Sequence, residues 1–311
     1  MIVTFTANPS LDRTVALADG LRPGEVQPAL SQREDAGGKG VNVARVIAAA
    51  GTGALAVLPL ADDDPFATPL RAAGVPTHAV PVAGAARANL AITDPRGVTT
   101  KLNLPGATLT DAEGEALMSA IAEVSADARW LVLAGSLPPG LGDAFYVRVI
   151  SRVRESLGDR APRIAVDTSG TPLSAVVAEA RPDLIKPNAE ELADLVGGDL
   201  DDDAPIAEIV DVARALVPAQ VGTALITLGA AGAVLVNADG AWHARPPRIS
   251  VASTVGAGDS SLAGYLLGES RGAASALELS VRYGAAAASM PGTQPPTPAD
   301  LPDGDISVIQ A

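Results

Sequence analysis

The chain has no cysteine and only two histidines, His78 and His243. Disulfides and thiolate metal sites are therefore excluded, and so is a histidine-rich metal centre. Basic charge is scarce as well: Lys and Arg number 22 against 36 Asp and Glu, a formal net charge of -14. That balance argues against nucleic acid or an anionic membrane surface as a partner, since both call for basic patches. No apolar stretch is long and uncharged enough to cross a bilayer. The start, Met1 to Thr6, lacks the basic region of a signal peptide, so the expected location is the cytoplasm. Lysine occurs only at Lys39, Lys101 and Lys186. A composition bias toward alanine accounts for the scarcity but not for where the survivors sit, with Lys39 inside GGKG and Lys186 inside IKPN.

A length of 311 residues suits one large α/β domain with an insertion, or two domains. No internal repeat or interdomain linker is visible, which favours a single unit over 1–311. Residues 2–6 read as a strand, Asn8 to Asp12 as a loop, and 13–31, with Pro23-Gly24, as a small hairpin. A helix runs on from the glycines at 37–40 to Ala50. Strands over 52–60 and 75–82 flank a helix over 65–73. Residues 87–92 and 99–104 form a hairpin around Asp94-Pro95-Arg96-Gly97. Beyond Thr110 helices and strands alternate strictly, which implies right-handed crossovers and a mostly parallel sheet. The Pro-rich end from Pro291 reads as an ordered loop followed by a surface tail.

Three stretches carry chemistry. The first is Ser253 to Tyr265, STVGAGDSSLAGY, a strand-like lead-in followed by small residues and an apolar helix. Gly256, Ala257 and Gly258 let backbone N–H groups approach an anion at a helix start, where the dipole favours negative charge. Asp259 then stands where a base is wanted, to take a proton from a hydroxyl while the hole neutralises charge on a transferring phosphoryl group. The same residues also suit an ordinary helix N-terminus capped by Thr254 or Asp259. The second stretch is Asp35 to Val46, where the glycines allow close approach of a polar ligand and Lys39 and Asn42 offer a charge and hydrogen bonds. It has neither Walker A nor GxGxxG spacing, and a tight structural turn is the plainer alternative. The third is Lys186-Pro187-Asn188-Ala189-Glu190-Glu191. Asn188 and Glu191 lie three apart at a helix start, placed either to orient Mg²⁺-bound water or to cap.

Other polar groups gather at strand ends. Asp12 follows the first strand, and Ser136 and Asp167 end later ones, at the edge where ligands collect in a parallel sheet. A turn or cap is the alternative for Asp12. In the hairpin, alternation places Arg87 with Asn89 and Lys101 with Asn103, a polar surface if the two faces coincide. The turn from Gly229 to Gly232 makes room for a nucleotide or simply closes a hairpin.

GGKGVN, KPNAEEL and STVGAGDS, in that order and at these separations, resemble the ribokinase-like (PfkB) carbohydrate kinases from about Ile2 to Thr293. TANPSLDRT, RANLAI, AGSLPPG and DTSG resemble the phosphohexose kinase branch. The resemblance implies a ribokinase-like α/β fold with a small β-sheet lid at about 13–31 and 87–104, often used for dimerisation. It implies ATP and Mg²⁺, with a monovalent cation in some members. Asp259 would be the base, with Gly256, Ala257 and Gly258 in the anion hole. Asp12, Gly38, Lys39 and Asn42 would hold the sugar, Arg87 with Asn89 its phosphate, and Asn103 and Ser136 would border it. Asn188, Glu191 and, through water, Asp167 would organise magnesium and the ATP phosphates, with Lys186 beside them. Thr227, Gly229, Gly232, Thr254 and Ser289 would surround the nucleotide. The expected acceptor is fructose 1-phosphate, giving fructose 1,6-bisphosphate, with tagatose 6-phosphate and fructose 6-phosphate as rivals. The 103–107 stretch, ending Pro105-Gly106-Ala107, resembles members that act on 6-phosphates. A non-catalytic sugar-phosphate or nucleotide sensor is the reading from another class.

Overall fold

In the computed structural model, which describes residues 1–311, the strands in chain order are β1 (Ile2–Thr6), β2 (Ser10–Leu17), β3 (Ala29–Gly37), β4 (Ala54–Leu60), β5 (Thr77–Pro81), β6 (Arg87–Thr93), β7 (Thr99–Asn103), β8 (Trp130–Ala134), β9 (Arg163–Asp167), β10 (Leu184–Ile185), β11 (Thr223–Thr227), β12 (Ala233–Asn237), β13 (Gly240–Ala244) and β14 (Val308–Gln310). The helices are α1 (Lys39–Ala49), α2 (Ala67–Ala72), α3 (Asp111–Val124), α4 (Phe145–Leu157), α5 (Thr171–Glu179), α6 (Ala189–Val196), α7 (Ile206–Arg214), α8 (Ala257–Gly268) and α9 (Ala273–Ser289). A ten-stranded sheet runs in the order β14-β13-β12-β11-β10-β9-β8-β1-β4-β5. From β11 to β5 all neighbours are parallel, while β12, β13 and β14 extend the sheet antiparallel.

The period of two in the strands sorts their side chains into two cores. Val3 and Phe5 of β1, Leu131 and Leu133 of β8, and Ile164 and Val166 of β9 face one side, packed with apolar residues of α3 to α7. Ile2, Trp130, Val132 and Ala165 face the other, against α1, α8 and α9. Strands buried on both faces read as nearly continuous apolar runs, as VLA and IAV do here. Each fully buried Leu, Val or Phe side chain contributes roughly 1.5–3 kcal/mol. Three of the few aromatics, Phe5, Phe145 and Tyr146, pack together with ring centroids 6.1–6.4 Å apart. The Tyr146 hydroxyl donates to the Gly135 carbonyl at 2.8 Å, and the Thr168 hydroxyl donates to the same oxygen at 2.9 Å. These bonds fix the chain just beyond β8, at the edge of the sheet where the polar groups collect.

A second sheet of four strands, in the order β3-β2-β6-β7, stands apart. Leu11, Ala36, Val41, Leu58, Phe66 and Leu70 form a small apolar cluster joining it to the main body. Its register brings Asp35, Asp12, Asn89 and Asn103 into one row across all four strands. The faces of the hairpin strands therefore do coincide.

Several expectations need correction. Asp12 is not in a loop, because β2 already begins at Ser10, and β3 runs to Gly37 directly into α1. The small sheet therefore starts earlier and ends later than the expected hairpin over 13–31. The polar run Ser31 to Asp35 pairs residue by residue with β2. No strand leads into Ser253: residues 245–256 are irregular, since Pro246 and Pro247 lack the N–H a ladder needs. The C-terminal tail ends in β14, which covers the edge of β13 with Trp242 opposite Gln310. Arg282 anchors its approach by donating to the carbonyls of Pro302 and Gly304, both at 2.8 Å.

Candidate active site

The centre of the site is the start of α8. Gly256 caps the helix in the left-handed region (φ 78°), a conformation a side chain disfavours. No backbone carbonyl accepts from the N–H groups of Gly258 and Asp259, as expected in a first turn. The Lys186 ammonium lies against this turn, so close that a Cβ on Gly258 would sit 3.3 Å from it. Free amides, the helix dipole and a lysine thus converge on one point, which is a site for an anion.

Asp259 is buried there, 7% exposed, and accepts a 2.8 Å hydrogen bond from the Asn42 amide of α1. Burial, and then the negative charge of Asp167, push its carboxyl up to about 6; Lys39 and Asn42 oppose the rise. Such a group is ionised at neutral pH yet basic enough to accept a proton. Asp167, fully buried at the end of β9, is also pushed up by burial, but Lys186 and Lys39 outweigh this and hold it below the usual carboxylate range. Lys39 Nζ lies 2.7 Å from one Asp167 oxygen and Lys186 Nζ 3.4 Å from the other. Burial works against the Lys39 charge, but Asp167 and Asp259 raise its pKa above the ordinary lysine value.

The acceptor side grows out of the small sheet. Asp12 accepts from the Ser10 hydroxyl at 2.7 Å and from the Asn89 amide at 2.9 Å, both on one oxygen. Its other oxygen faces Gly37 so closely that any Cβ there would overlap the carboxylate. Burial raises the Asp12 carboxyl despite these bonds and the nearby Arg87 charge. Gly38 follows at φ 113°, where a Cβ would strike the Thr6 side chain, and α1 begins at Lys39. Five residues of chain thus connect the Asp12 pocket to Asn42 and, through it, to Asp259. Arg87, in register with Ser10, makes only a long contact of 3.4 Å to the Leu104 carbonyl, and its buried Nε has no partner. It lines an open groove of about 600 Å³ with Leu104, Pro105 and Gly106.

The residues expected at the nucleotide mostly border a cavity of about 840 Å³, within the size range of small-molecule sites. Asn188, Thr227, Gly229, Gly232, Thr254, Ala257 and Gly258 all line it. Gly232 has φ 98°, and a Cβ there would overlap the Ala244 carbonyl. Ser289 does not line this cavity: it is exposed and donates to the Ala286 carbonyl at 2.8 Å. Gly284, Ala285 and Ala288 of α9 take its place. Asn103 and Ser136 are exposed and form no side-chain bonds; Asn103 faces the site row only through its register with Asn89.

The acidic groups fit magnesium only in part. Asn188 and Glu191 form a reciprocal capping box, the Asn188 side chain accepting from Glu191 N at 2.7 Å and Glu191 Oε2 accepting from Asn188 N at 3.0 Å. One Glu191 oxygen stays free for metal-bound water. Asp167 does not suit the role expected of it, because both its oxygens face ammonium groups. No group of three acidic or histidine side chains is placed to hold an ion by itself. The donor set therefore fits a magnesium ion that arrives on phosphates and keeps most of its water.

Sequence reasoning missed Ser10, Gly37 and Asn8. Ser10 and Asp12 share one face of a strand, which alternation reveals once β2 is recognised. Asn8 donates to the Pro105 carbonyl at 3.0 Å, tying the chain beyond β7 to the end of β1.

The pfkB family carbohydrate kinase pattern matches residues 6–302. The chain belongs to the pfkB family of carbohydrate kinases. It is 37% identical over 268 residues to a 1-phosphofructokinase of Xanthomonas campestris pv. campestris, covering 84% of this chain and 82% of that one. It is 33% identical over 303 residues to the ATP-dependent 6-phosphofructokinase isozyme 2 of Mycobacterium tuberculosis, covering 94% and 85%. Phosphofructokinase-2 of Escherichia coli, solved in complex with potassium, superposes with a TM-score of 0.86 at 29% identity, covering 96% of each chain. As a pfkB kinase the chain is a phosphotransferase with an alcohol group as acceptor, on a ribokinase-like α/β fold. No helix is long and apolar enough to cross a membrane.

Proposed function

We propose that the chain transfers the terminal phosphoryl group of ATP to fructose 1-phosphate, giving fructose 1,6-bisphosphate. The observation that carries this reading is Asp259, a buried carboxylate set into a helix start whose amides and neighbouring lysine suit an anion. A carboxylate beside an anion hole serves phosphate binding poorly and serves proton removal during transfer well. In the reaction Asp259 takes the proton of the acceptor hydroxyl, whose oxygen then bonds to the γ-phosphorus. The bond from that phosphorus to the bridging oxygen breaks, and ADP leaves with the electron pair. The α8 amides and Lys186 stabilise the charge on the transferring group. Asp12, Gly38, Lys39 and Asn42 orient the sugar, and Arg87, with its unpartnered Nε, meets the phosphate it already carries. Asn103 and Ser136 border the acceptor and contribute less. The ATP phosphates lie at Gly258, Asn188 and Lys186, and the adenosine fills the cavity of Thr227 to Gly232 and α9. Glu191 would hold, through water, a magnesium ion carried by ATP, and that ion would neutralise charge on the phosphates.

Relatives named 1-phosphofructokinase support fructose 1-phosphate as acceptor. The second reading, fructose 6-phosphate, is favoured by the complex of Escherichia coli phosphofructokinase-2 with that sugar, 29% identical, and by the Pro105-Gly106-Ala107 segment closing the Arg87 groove. The whole chain acts as one unit, with the small sheet as lid over the acceptor. A homodimer through this lid is supported by Leu102, 54% exposed, beside Leu90 and Arg13 on the face opposite Asp12. A potassium requirement and a cytoplasmic location complete the reading. The test is ADP release with Mg²⁺-ATP and, in parallel, fructose 1-phosphate, fructose 6-phosphate, tagatose 6-phosphate and fructose. A kcat/KM preference for fructose 1-phosphate is expected. Activity on free fructose alone would remove Arg87 from its role, and binding of ATP with no turnover on any sugar would favour a sensor.

A further inference from the structure

The strand β3 is held to the main body in two different ways. Near its end the hold is apolar: Ala36, with Leu11 of β2, packs against Val41, Leu58, Phe66 and Leu70. The rest of the strand lies beyond this cluster. β3 forms an edge of the small sheet and Ala29 to Glu34 are all exposed, so no core of their own fixes their place. There the hold is polar and rests on Arg33. Arg33 stands on the same face of β3 as Asp35, and its Nε donates to the Asp35 carboxylate at 2.7 Å. The far end of its guanidinium lies on Gly292, so close that a Cβ at that position would overlap it. Gly292 has φ 69°, a conformation glycine adopts without strain. Gly292 belongs to the segment that leaves α9, and Arg45 of α1 holds the next residue by donating to the Thr293 carbonyl at 3.0 Å. Burial lowers the Arg45 pKa, Arg33 adds to the fall, and Asp35 and Asp12 oppose it, so two arginines and two aspartates meet around this turn. Upstream, Gly284, Ala285 and Ala288 of α9 line the large cavity. The Ala288 carbonyl also accepts from the N–H groups of Ala252 and Ser253, at 2.8 and 3.2 Å, which ties α9 to the lead-in of α8. A continuous path therefore runs from the cavity wall along the end of α9 to Gly292 and across Arg33 to β3. That strand carries Asp35 opposite Asp12 and ends at Gly37, against the Asp12 carboxylate.

We infer that Arg33 is a positioning residue: it clips the exposed part of β3 to the segment leaving α9, and so couples binding in the cavity to the order of the Asp12 row. It touches no reacting atom. A nucleotide packed against α9 steadies the Gly292 turn, and the clip passes that order to the strand beside Asp12. Binding in either half then favours binding in the other, by the same factor in both directions. This rests on the nucleotide reading of the cavity given above.

The test uses the whole chain as wild type, Arg33→Ala and Arg22→Ala. The last removes an ion pair of similar exposure, Arg22 with Glu25 at 2.6 Å, from the turn between β2 and β3 and leaves the clip alone. Calorimetry gives the Kd of fructose 1-phosphate and of fructose 6-phosphate with and without a non-hydrolysable ATP analogue and Mg²⁺. Hydrogen exchange gives the protection of residues 29–37 with and without the analogue alone. In the wild type and in Arg22→Ala the analogue is expected to tighten the phosphosugar about five- to tenfold and to slow exchange in β3. In Arg33→Ala both effects are lost, while the analogue by itself binds with an unchanged Kd. Wild-type ligands that bind independently, coupling that survives in Arg33→Ala, or coupling lost equally in Arg22→Ala would overturn the inference. Failure of the kinase reading shows differently. Protein that binds the analogue but neither phosphosugar loses the fructose phosphates as acceptors, and hydrogen exchange alone then judges the clip. Protein that binds no analogue loses the nucleotide reading, and the inference falls with it.

Discussion

The two halves of the proposed site differ in what they offer a ligand. The acceptor half is built of side chains on strands, where Ser10, Asp12, Asn89 and Arg87 present charges and hydrogen bonds from a sheet that is itself half exposed. The half proposed for the nucleotide is a cavity lined mostly by glycine, alanine and proline, with Asp202 and Arg248 as the charged residues in its wall. Side chains on a small sheet change without disturbing the main core, whereas the cavity is shaped by backbones in close contact. With the proposed roles, acceptor choice is the adjustable part of this molecule and nucleotide choice the fixed part.

Asp259 serves both halves, so its loss has the largest effect. Asp259→Asn is expected to lower kcat by about 10²–10⁴-fold, the usual contribution of a general base, with little change in ligand binding by calorimetry. Normal turnover would remove Asp259 from the role of base. Arg87→Ala acts on the acceptor half alone. Loss of hydrogen bonds to a charged phosphate, about 1.5–3 kcal/mol, raises KM for the phosphosugar roughly 10- to 150-fold and leaves KM for ATP near its wild-type value. Ala288→Leu is the mirror experiment: a larger side chain entering the cavity raises KM for ATP about tenfold and spares the phosphosugar. Equal effects of either variant on both substrates would erase the distinction between the halves.

The pH dependence sharpens the same comparison. Asp259 must be ionised to act, and burial has raised its carboxyl to about 6, so kcat falls as pH drops through that value, by about tenfold per unit below it. For stability the direction is reversed. A carboxyl whose folded pKa lies above its unfolded value weakens the fold once it is ionised, so Asp259→Asn raises Tm at pH 8, and the gain disappears toward pH 4. The smallest effect lies outside the site. Arg282→Ala frees the approach to β14 and lowers Tm by about 2–4 °C with unchanged kinetics.

Much of this was legible in the sequence, for identifiable reasons. The buried strands announce themselves as short apolar runs, and the helix starts at Lys39, Ala189 and Ala257 by the glycines or capping residues before them. What stayed hidden depends on pairing between distant segments. Residues 32–34 carry no strand signal until β2 supplies their partner, and Val308 to Gln310 looks like a tail until β13 does. The pairing of Asp167 with two lysines is likewise a tertiary fact, because each residue alone reads as a separate strand-end group. Ser289 misled because a position near the nucleotide does not fix the direction of its hydroxyl, which turns back onto its own helix.

The bond from Asn42 to Asp259 spans 217 positions, and that from Lys39 to Asp167 spans 128. On the ribosome these separations become a schedule. The residues from Asp12 to Asn89 emerge well before α8 and wait for a carboxylate that appears only when α8 has left the exit tunnel. A chain stalled or clipped upstream of α8 has the sugar-facing residues and most of the main sheet but no base. Unfinished copies therefore lack the proposed base, which arrives late, with the helices that complete the second core.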